Sequence, residues 1–260
     1  MIPYKGADVN FSLEGKTAII TGGTAGLGYA TADFLSKKGV NLILMARSSE
    51  VDSVARKFGA KNIGVQGDVC DSVARKSVLD AGIKAFGKVD ILINNAGISL
   101  LDKAESISEE YWDKVIGVNL TACFMMAQVF GAYLIENKIT GSIVNVSSQA
   151  GVSALDRHAA YCASKAGVNS ITRVLALEWG KYGIRVNAVS PTVVLTELGR
   201  KVWNNPKGEE AKKILPAGRF AEPDEVASAI AFLCSDAAAM ITGHNLMVDG
   251  GACTTATKFE

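Results

Sequence analysis

Tyr161 is followed four residues later by Lys165. On a helix, positions with this spacing share one face and stand one turn apart. An ammonium beside a phenol stabilises the phenolate and lowers a pKa that is ordinarily about 10. The pair therefore makes Tyr161 a candidate proton donor and acceptor near neutral pH. By itself the spacing is common, and a buried Tyr161 could equally be a packed aromatic with a bonded hydroxyl. What surrounds the pair in the chain gives it weight.

A short apolar run, Thr17–Thr21, leads into Gly22-Gly23-Thr24-Ala25-Gly26-Leu27-Gly28, and a helical pattern follows. A strand, a glycine-rich turn and a helix N-terminus form a pyrophosphate cradle, because bare backbone lets phosphates approach and the amides point at them. The spacing is G-x-x-x-G-x-G rather than G-x-G-x-x-G. An acid at the end of the next strand normally holds the ribose hydroxyl of NAD. Here Ala46 takes that place and Arg47 follows. A guanidinium suits a 2′-phosphate, which favours NADP(H); NAD(H) stays open if Arg47 is merely solvated. Asp68 and Val69 stand after the third apolar run, where a carboxylate and an amide could receive adenine. Asn94-Asn95-Ala96-Gly97 follows the fourth and offers small and amide-bearing residues as a wall against ribose or pyrophosphate. Ordinary loop chemistry would explain either segment taken alone.

These residues need a scaffold. Short continuous apolar or β-branched runs occur at 17–21, 40–46, 63–67, 89–94, 142–147, 185–190 and 245–248. Each reads as a strand buried on both faces. Between them lie helical patterns, among them 26–38, 108–137 and 160–182. The alternation predicts an α/β, doubly wound parallel sheet with helices on both faces. With 260 residues and no repeat or linker, one domain over 1–260 is the economical expectation. The least regular stretch, 192–221, holds Asn204-Asn205-Pro206 and Pro216 and is expected to be a mobile lid at the carboxyl edge of the sheet.

Composition narrows the function classes. A formal net charge of +1 with dispersed basic residues gives nucleic acid no footing. Five cysteines without C-x-x-C spacing are expected to be reduced thiols in a cytoplasmic protein, not a disulfide framework or a metal site. Cys162, beside Tyr161, is expected to be small apolar packing. The N-terminus does not look like a signal peptide, and no uninterrupted apolar run is expected to reach membrane-spanning length.

Together these features resemble the short-chain dehydrogenase/reductase family. The resemblance runs from about Lys16 to Gly251 and rests on Thr21-Gly22-x-x-x-Gly26-x-Gly28, Asn94-Asn95-Ala96-Gly97, Asn119, Ser148 and Tyr161-x-x-x-Lys165. Ser148 precedes Tyr161 by thirteen residues, the separation this family uses. The resemblance implies a single Rossmann-like domain with a seven-stranded parallel sheet, usually assembled as a homotetramer and sometimes as a dimer. It assigns Asn119, Ser148, Tyr161 and Lys165 to catalysis. Tyr161 would exchange a proton with the substrate oxygen, and Lys165 would tune it and bind the nicotinamide ribose. Ser148 would hold the substrate oxygen, and Asn119 would anchor a water in the proton relay. It assigns Thr21, Gly22, Thr24, Gly26, Leu27, Gly28, Arg47, Asp68, Val69, Asn95, Ala96, Gly97, Pro191, Val194 and Thr196, with Tyr161 and Lys165, to the cofactor. Thr192 stands where the family often has glycine.

The C-terminal third looks like the L-xylulose reductase and polyol dehydrogenase branch of that family. Gln149, His158 and Trp203 match its polar pocket and lid, and with Ser148 they are the expected substrate residues. An amide, an imidazole and an indole N–H suit a substrate with several hydroxyls, since unpaired polar groups would penalise an apolar one. The expected reaction interconverts a secondary alcohol and a ketone, most simply a small polyol and its ketose. A 3-oxoacyl or general carbonyl/dicarbonyl reductase is the enzymatic alternative, and a dinucleotide-sensing regulator the non-enzymatic one.

Overall fold

The computed structural model describes residues 10–254. Seven strands form one parallel sheet in the order β3-β2-β1-β4-β5-β6-β7. They are β1 (Thr17–Thr21), β2 (Asn41–Ala46), β3 (Ile63–Gln66), β4 (Ile91–Asn94), β5 (Gly141–Val146), β6 (Ile184–Pro191) and β7 (Asn245–Val248). The α-helices are α1 (Gly26–Ser36), α2 (Val51–Lys57), α3 (Ser72–Phe86), α4 (Glu109–Ile116), α5 (Ala122–Glu136), α6 (Ala159–Trp179), α7 (Glu197–Trp203), α8 (Pro206–Ile214) and α9 (Pro223–Cys234).

Alternation along the strands builds two apolar layers. Ala18 and Ile20 of β1, with Leu42 and Leu44 of β2, face α1 and α9. Ile19, Ile43 and Met45 face the opposite way, toward α3, α5 and α6. Because both faces are covered, the central strands are mostly apolar on both sides, which is why their runs are nearly continuous in the sequence. Two strands begin later than the runs predict. The Val40 amide bonds to the Leu35 carbonyl at the end of α1, so β2 starts at Asn41. The Val89 amide bonds to the Tyr133 hydroxyl, and β4 starts at Ile91.

The long pattern over 108–137 is interrupted. Between α4 and α5 the backbone widens into a π turn, Gly117–Thr121, and Asn119 lies inside it. Such single-turn bulges often mark functional positions. By length and mean composition Glu109–Glu136 could cross a membrane, although polar residues such as Asn119 and Gln128 interrupt its apolar run. Here its inner residues Met126, Ala127, Phe130 and Leu134 are buried in the sheet-facing layer. The lid stretch contains α7 and α8, the latter begun by Asn205, whose side chain accepts from the Gly208 amide. Chain order reverses between β1 and β4, so a crevice opens at the carboxyl ends of these neighbours, the usual ligand position in open α/β sheets.

Candidate active site

The first half of the site is the turn after β1. Gly22 has φ +67°, and a Cβ there would come 3.0 Å from Asn95 Nδ2. A Cβ on Gly28 would come 2.3 Å from the Gly22 carbonyl oxygen and 2.5 Å from Asn95 Nδ2. The turn and the first turn of α1 are thus packed backbone against backbone, which only glycine permits. Thr21 and Asn95 lock it in place. Thr21 Oγ1 accepts from the amides of Asn95 and Ala96, both at 3.0 Å. Asn95 Nδ2 donates to the carbonyls of Thr21 (3.0 Å) and Gly22 (3.2 Å). Thr21 and Asn95, both expected at the cofactor, thus spend these groups on the shape of the loop.

The N-terminus of α1 has no cap. Ala25 offers no side-chain acceptor, and no acid stands in the first turn. Its amides are left for an anion. Two clefts meet at this point and share Gly22, Ala25, Ala96 and Gly97. One, of about 540 Å³, reaches Thr24, Arg47, Asp68 and Val69. The other, of about 510 Å³, reaches Gly26, Leu27 and Thr196. The uncapped helix, the glycine packing and the paired clefts fit an extended dinucleotide. Arg47 stands exposed at the far mouth, and among the described residues no carboxylate pairs with it.

The second half is a cluster beneath Gly97. A Cβ on Gly97 would lie 3.3 Å from Asn119 Oδ1 and 3.6 Å from Lys165 Nζ, so both groups come to the cleft wall. Lys165 is 4% exposed, and its ammonium donates to the Val146 carbonyl at 2.7 Å. It lies 5.6 Å from the Tyr161 ring centroid. Asn119 exchanges bonds with the main chain of Ile98, accepting at 2.8 Å and donating at 2.9 Å, and donates to Ser164 Oγ at 3.1 Å. Ser148 starts the turn after β5, where its Oγ accepts from the Ala150 amide at 3.1 Å. Its own proton, like the Tyr161 hydroxyl, has no acceptor among the described residues. Cys123, behind this cluster, is buried, and burial pushes its thiol up to about 12, so it stays protonated.

The third part is polar and partly open. Gln149 Oε1 is buried with no hydrogen-bond partner among the described residues. The His158 ring lies 6.0 Å from the Tyr161 ring, edge on. Its Nδ1 is 2.6 Å from the Asp156 carbonyl oxygen. A carbonyl only accepts, so Nδ1 carries the proton, and Nε2 of the neutral ring is an acceptor. Arg157 between them has φ +63°, and its carbonyl accepts from the Asp102 amide, which ties this loop to the segment after β4. Pro191 ends β6, Val194 bridges to Ala221, and Thr196 caps α7 by accepting from the Gly199 amide at 3.1 Å. Trp203 stacks edge-on against Phe220 at 5.4 Å, which places it on the lid. Cys162 is half-buried.

Two supporting hydroxyls escape a reading of the sequence. Ser164 donates to the Tyr161 carbonyl at 2.7 Å and receives Asn119, and Ser147 donates to the Lys165 carbonyl at 3.1 Å. Each adjoins a predicted site residue, the only signal the chain carries for them. The last turn before residue 255 is a further surprise: Cys253 Sγ lies 3.4 Å from Ser153 Oγ, behind Gln149.

A family described as Enoyl-(Acyl carrier protein) reductase matches residues 22–253. The chain is 47% identical over 249 residues to the NAD-dependent glycerol dehydrogenase of Listeria innocua, covering 95% of this chain and 98% of that protein. It is 46% identical over 248 residues to the D-threitol dehydrogenase of Mycolicibacterium smegmatis, covering 94% and 95%. It is 36% identical over 241 residues to human L-xylulose reductase, covering 92% and 97%. Among solved structures, a gluconate 5-dehydrogenase from Burkholderia cenocepacia, in complex with NADP and tartrate, superposes with a TM-score of 0.89 at 30% identity, covering 95% and 99%.

Proposed function

The chain belongs to the short-chain dehydrogenase/reductase family, and on that premise we propose that it interconverts a small polyol and its ketose with NADP(H), Tyr161 handling the proton. It is an oxidoreductase of CH–OH groups that uses a nicotinamide dinucleotide. The cofactor, when bound, supplies the hydride chemistry; the protein supplies position and proton management.

In the oxidative direction the uncommitted Ser148 hydroxyl donates to the substrate oxygen and holds it. Tyr161 takes the alcohol proton as that oxygen becomes a carbonyl. Lys165, with no carboxylate partner among the described residues, brings a buried positive charge to the phenol and the cleft wall. Asn119 has spent its amide donors on Ile98 and Ser164 and one lone pair of Oδ1 on the Ile98 amide, so the second lone pair of Oδ1 is what it can offer a water beside Lys165. In reduction each proton moves the other way.

The observation that carries the polyol reading is the buried, unpartnered Oε1 of Gln149. Leaving such an acceptor unpaired costs about 1–3 kcal/mol, and a substrate hydroxyl offset from the reacting carbon satisfies it. Nε2 of His158 is a second acceptor for the same kind of group. That relatives are named for glycerol, D-threitol and L-xylulose agrees with this choice. NADP(H) is preferred because Ala46 offers no acid and Arg47 stands at the mouth; the relative named for NAD keeps NAD(H) in the test. We further propose one catalytic domain with 192–221 as its lid, a homotetramer, and a cytoplasmic setting.

Glycerol, threitol, xylitol and L-xylulose should be compared with an acetoacetyl thioester and a simple dicarbonyl, each with both dinucleotides. The highest kcat/KM is expected on a polyol–ketose pair. A preference for the thioester would put the 3-oxoacyl reductase reading in its place, and binding of dinucleotide without turnover would favour the sensor.

A further inference from the structure

Arg75 stands in the first turn of α3 and is 8% exposed. Among the described residues no carboxylate pairs with it. Its Nε is buried without a partner. A buried cation with no counter-ion is a net cost to the fold, and an apolar residue of similar length is commonly tolerated or stabilising in such a place. Its presence calls for a reason other than stability.

Its one polar contact among the described residues supplies that reason. Nη1 donates to the Val69 carbonyl at 2.6 Å. Val69 lines the cleft beside Asp68, and no hydrogen bond occupies its amide among the described residues. Asp68 uses Oδ1 to accept from the Cys70 amide at 2.9 Å, which leaves its other oxygen for a ligand. A free amide next to a free carboxylate oxygen is a donor–acceptor pair. It matches a ring nitrogen acceptor flanked by an exocyclic amine, the edge that adenine presents. The pair works only if the backbone at 68–69 holds one orientation, and the guanidinium fixes it from below through the Val69 carbonyl.

We infer that Arg75 is a positioning residue for adenine, holding Val69 so that its amide and the Asp68 carboxylate read the base. The inference rests on the dinucleotide reading above.

The test compares wild type, Arg75→Met and Arg75→Lys, with NAD(P)(H) and with the hypoxanthine dinucleotide, which has no exocyclic amine. Arg75→Met should weaken the adenine dinucleotide about tenfold, leave the hypoxanthine analogue nearly unchanged, and leave kcat at saturation as it was. The melting temperature of the free protein should hold or rise. Arg75→Lys, whose ammonium still reaches a carbonyl, should recover most of the affinity. Equal weakening of both dinucleotides, weakening of neither, or a melting temperature that falls in step with affinity would overturn the inference. Wild-type protein that binds no dinucleotide at all would remove the reading beneath it. If Arg75→Met does not fold, Arg75→Lys decides: wild-type adenine preference supports the clamp, and its loss with an intact fold overturns it.

Discussion

The ammonium of Lys165 lies 5.6 Å from the centre of the Tyr161 ring while donating to the Val146 carbonyl at the end of β5. Both side chains come from α6, and the end of β5 fixes the buried cation beside the phenol. Replacing Lys165 with Met should lower kcat by about 10²–10⁴ and raise KM for the dinucleotide. Steady-state kinetics at saturating polyol checks both. A kcat within a few fold of wild type would remove Lys165 from the machinery.

Gln149→Leu keeps the shape of the side chain and deletes the orphaned acceptor. It should raise KM for a polyol or ketose by about tenfold, the scale of one buried hydrogen bond, with kcat/KM for a simple dicarbonyl little changed. Equal effects on both substrate classes would mean that Gln149 shapes the turn rather than reads hydroxyls.

Arg47→Asp should reverse the cofactor preference, weakening NADP(H) by at least about tenfold through loss of a charge-assisted contact and favouring NAD(H). The ratio of kcat/KM for the two cofactors is the measurement. An unchanged ratio would leave Arg47 as a solvated side chain.

Gly28→Ala forces a methyl to within 2.3 Å of the Gly22 carbonyl oxygen. The methyl meets the Gly22 main chain, which cannot swing aside as the end of a flexible side chain would. Overpacking of this kind costs about 1–3 kcal/mol, and dinucleotide affinity should fall with it. Thermal unfolding and cofactor titration of the same variant test both consequences.

Acid should loosen the start of α9. Two hydrogen bonds of 2.6 Å from Arg219 hold the Glu225 carboxyl down at about 2, and the Glu222 amide adds to this. Its folded-state pKa lies below the ordinary value near 4.3. Its contribution is therefore complete above that value and is lost as pH falls toward 2. Glu225→Gln should flatten the dependence of stability on pH across that window. An unaltered acid limb would assign the loss to other carboxylates.

Much of this site is written in the chain because its parts are local. Gly22 to Gly28, Asn94 to Gly97 and Tyr161 to Lys165 each belong to one strand end or one helix turn, so spacing alone places them. The all-parallel sheet follows from continuous apolar runs that only burial on both faces explains. What could not be read depends on contacts across the sequence. Ser164 meets Asn119 over 45 positions and Cys253 approaches Ser153 over 100. The π turn at Gly117–Thr121 leaves no compositional trace in an otherwise helical pattern. Val89 and Val40 look like strand residues but send their amides elsewhere, which moves two strand starts. Nothing local in the chain signals that the fold buries Arg75.

The most direct measurement is turnover of a confirmed polyol by Tyr161→Phe, followed through the absorbance of the reduced nicotinamide, alongside dinucleotide affinity for the same variant. Removing one oxygen atom should reduce kcat by about 10²–10⁴ while leaving cofactor affinity within a few fold of wild type. Turnover at the wild-type rate would contradict the assignment of the proton to Tyr161 and the mechanism built on it.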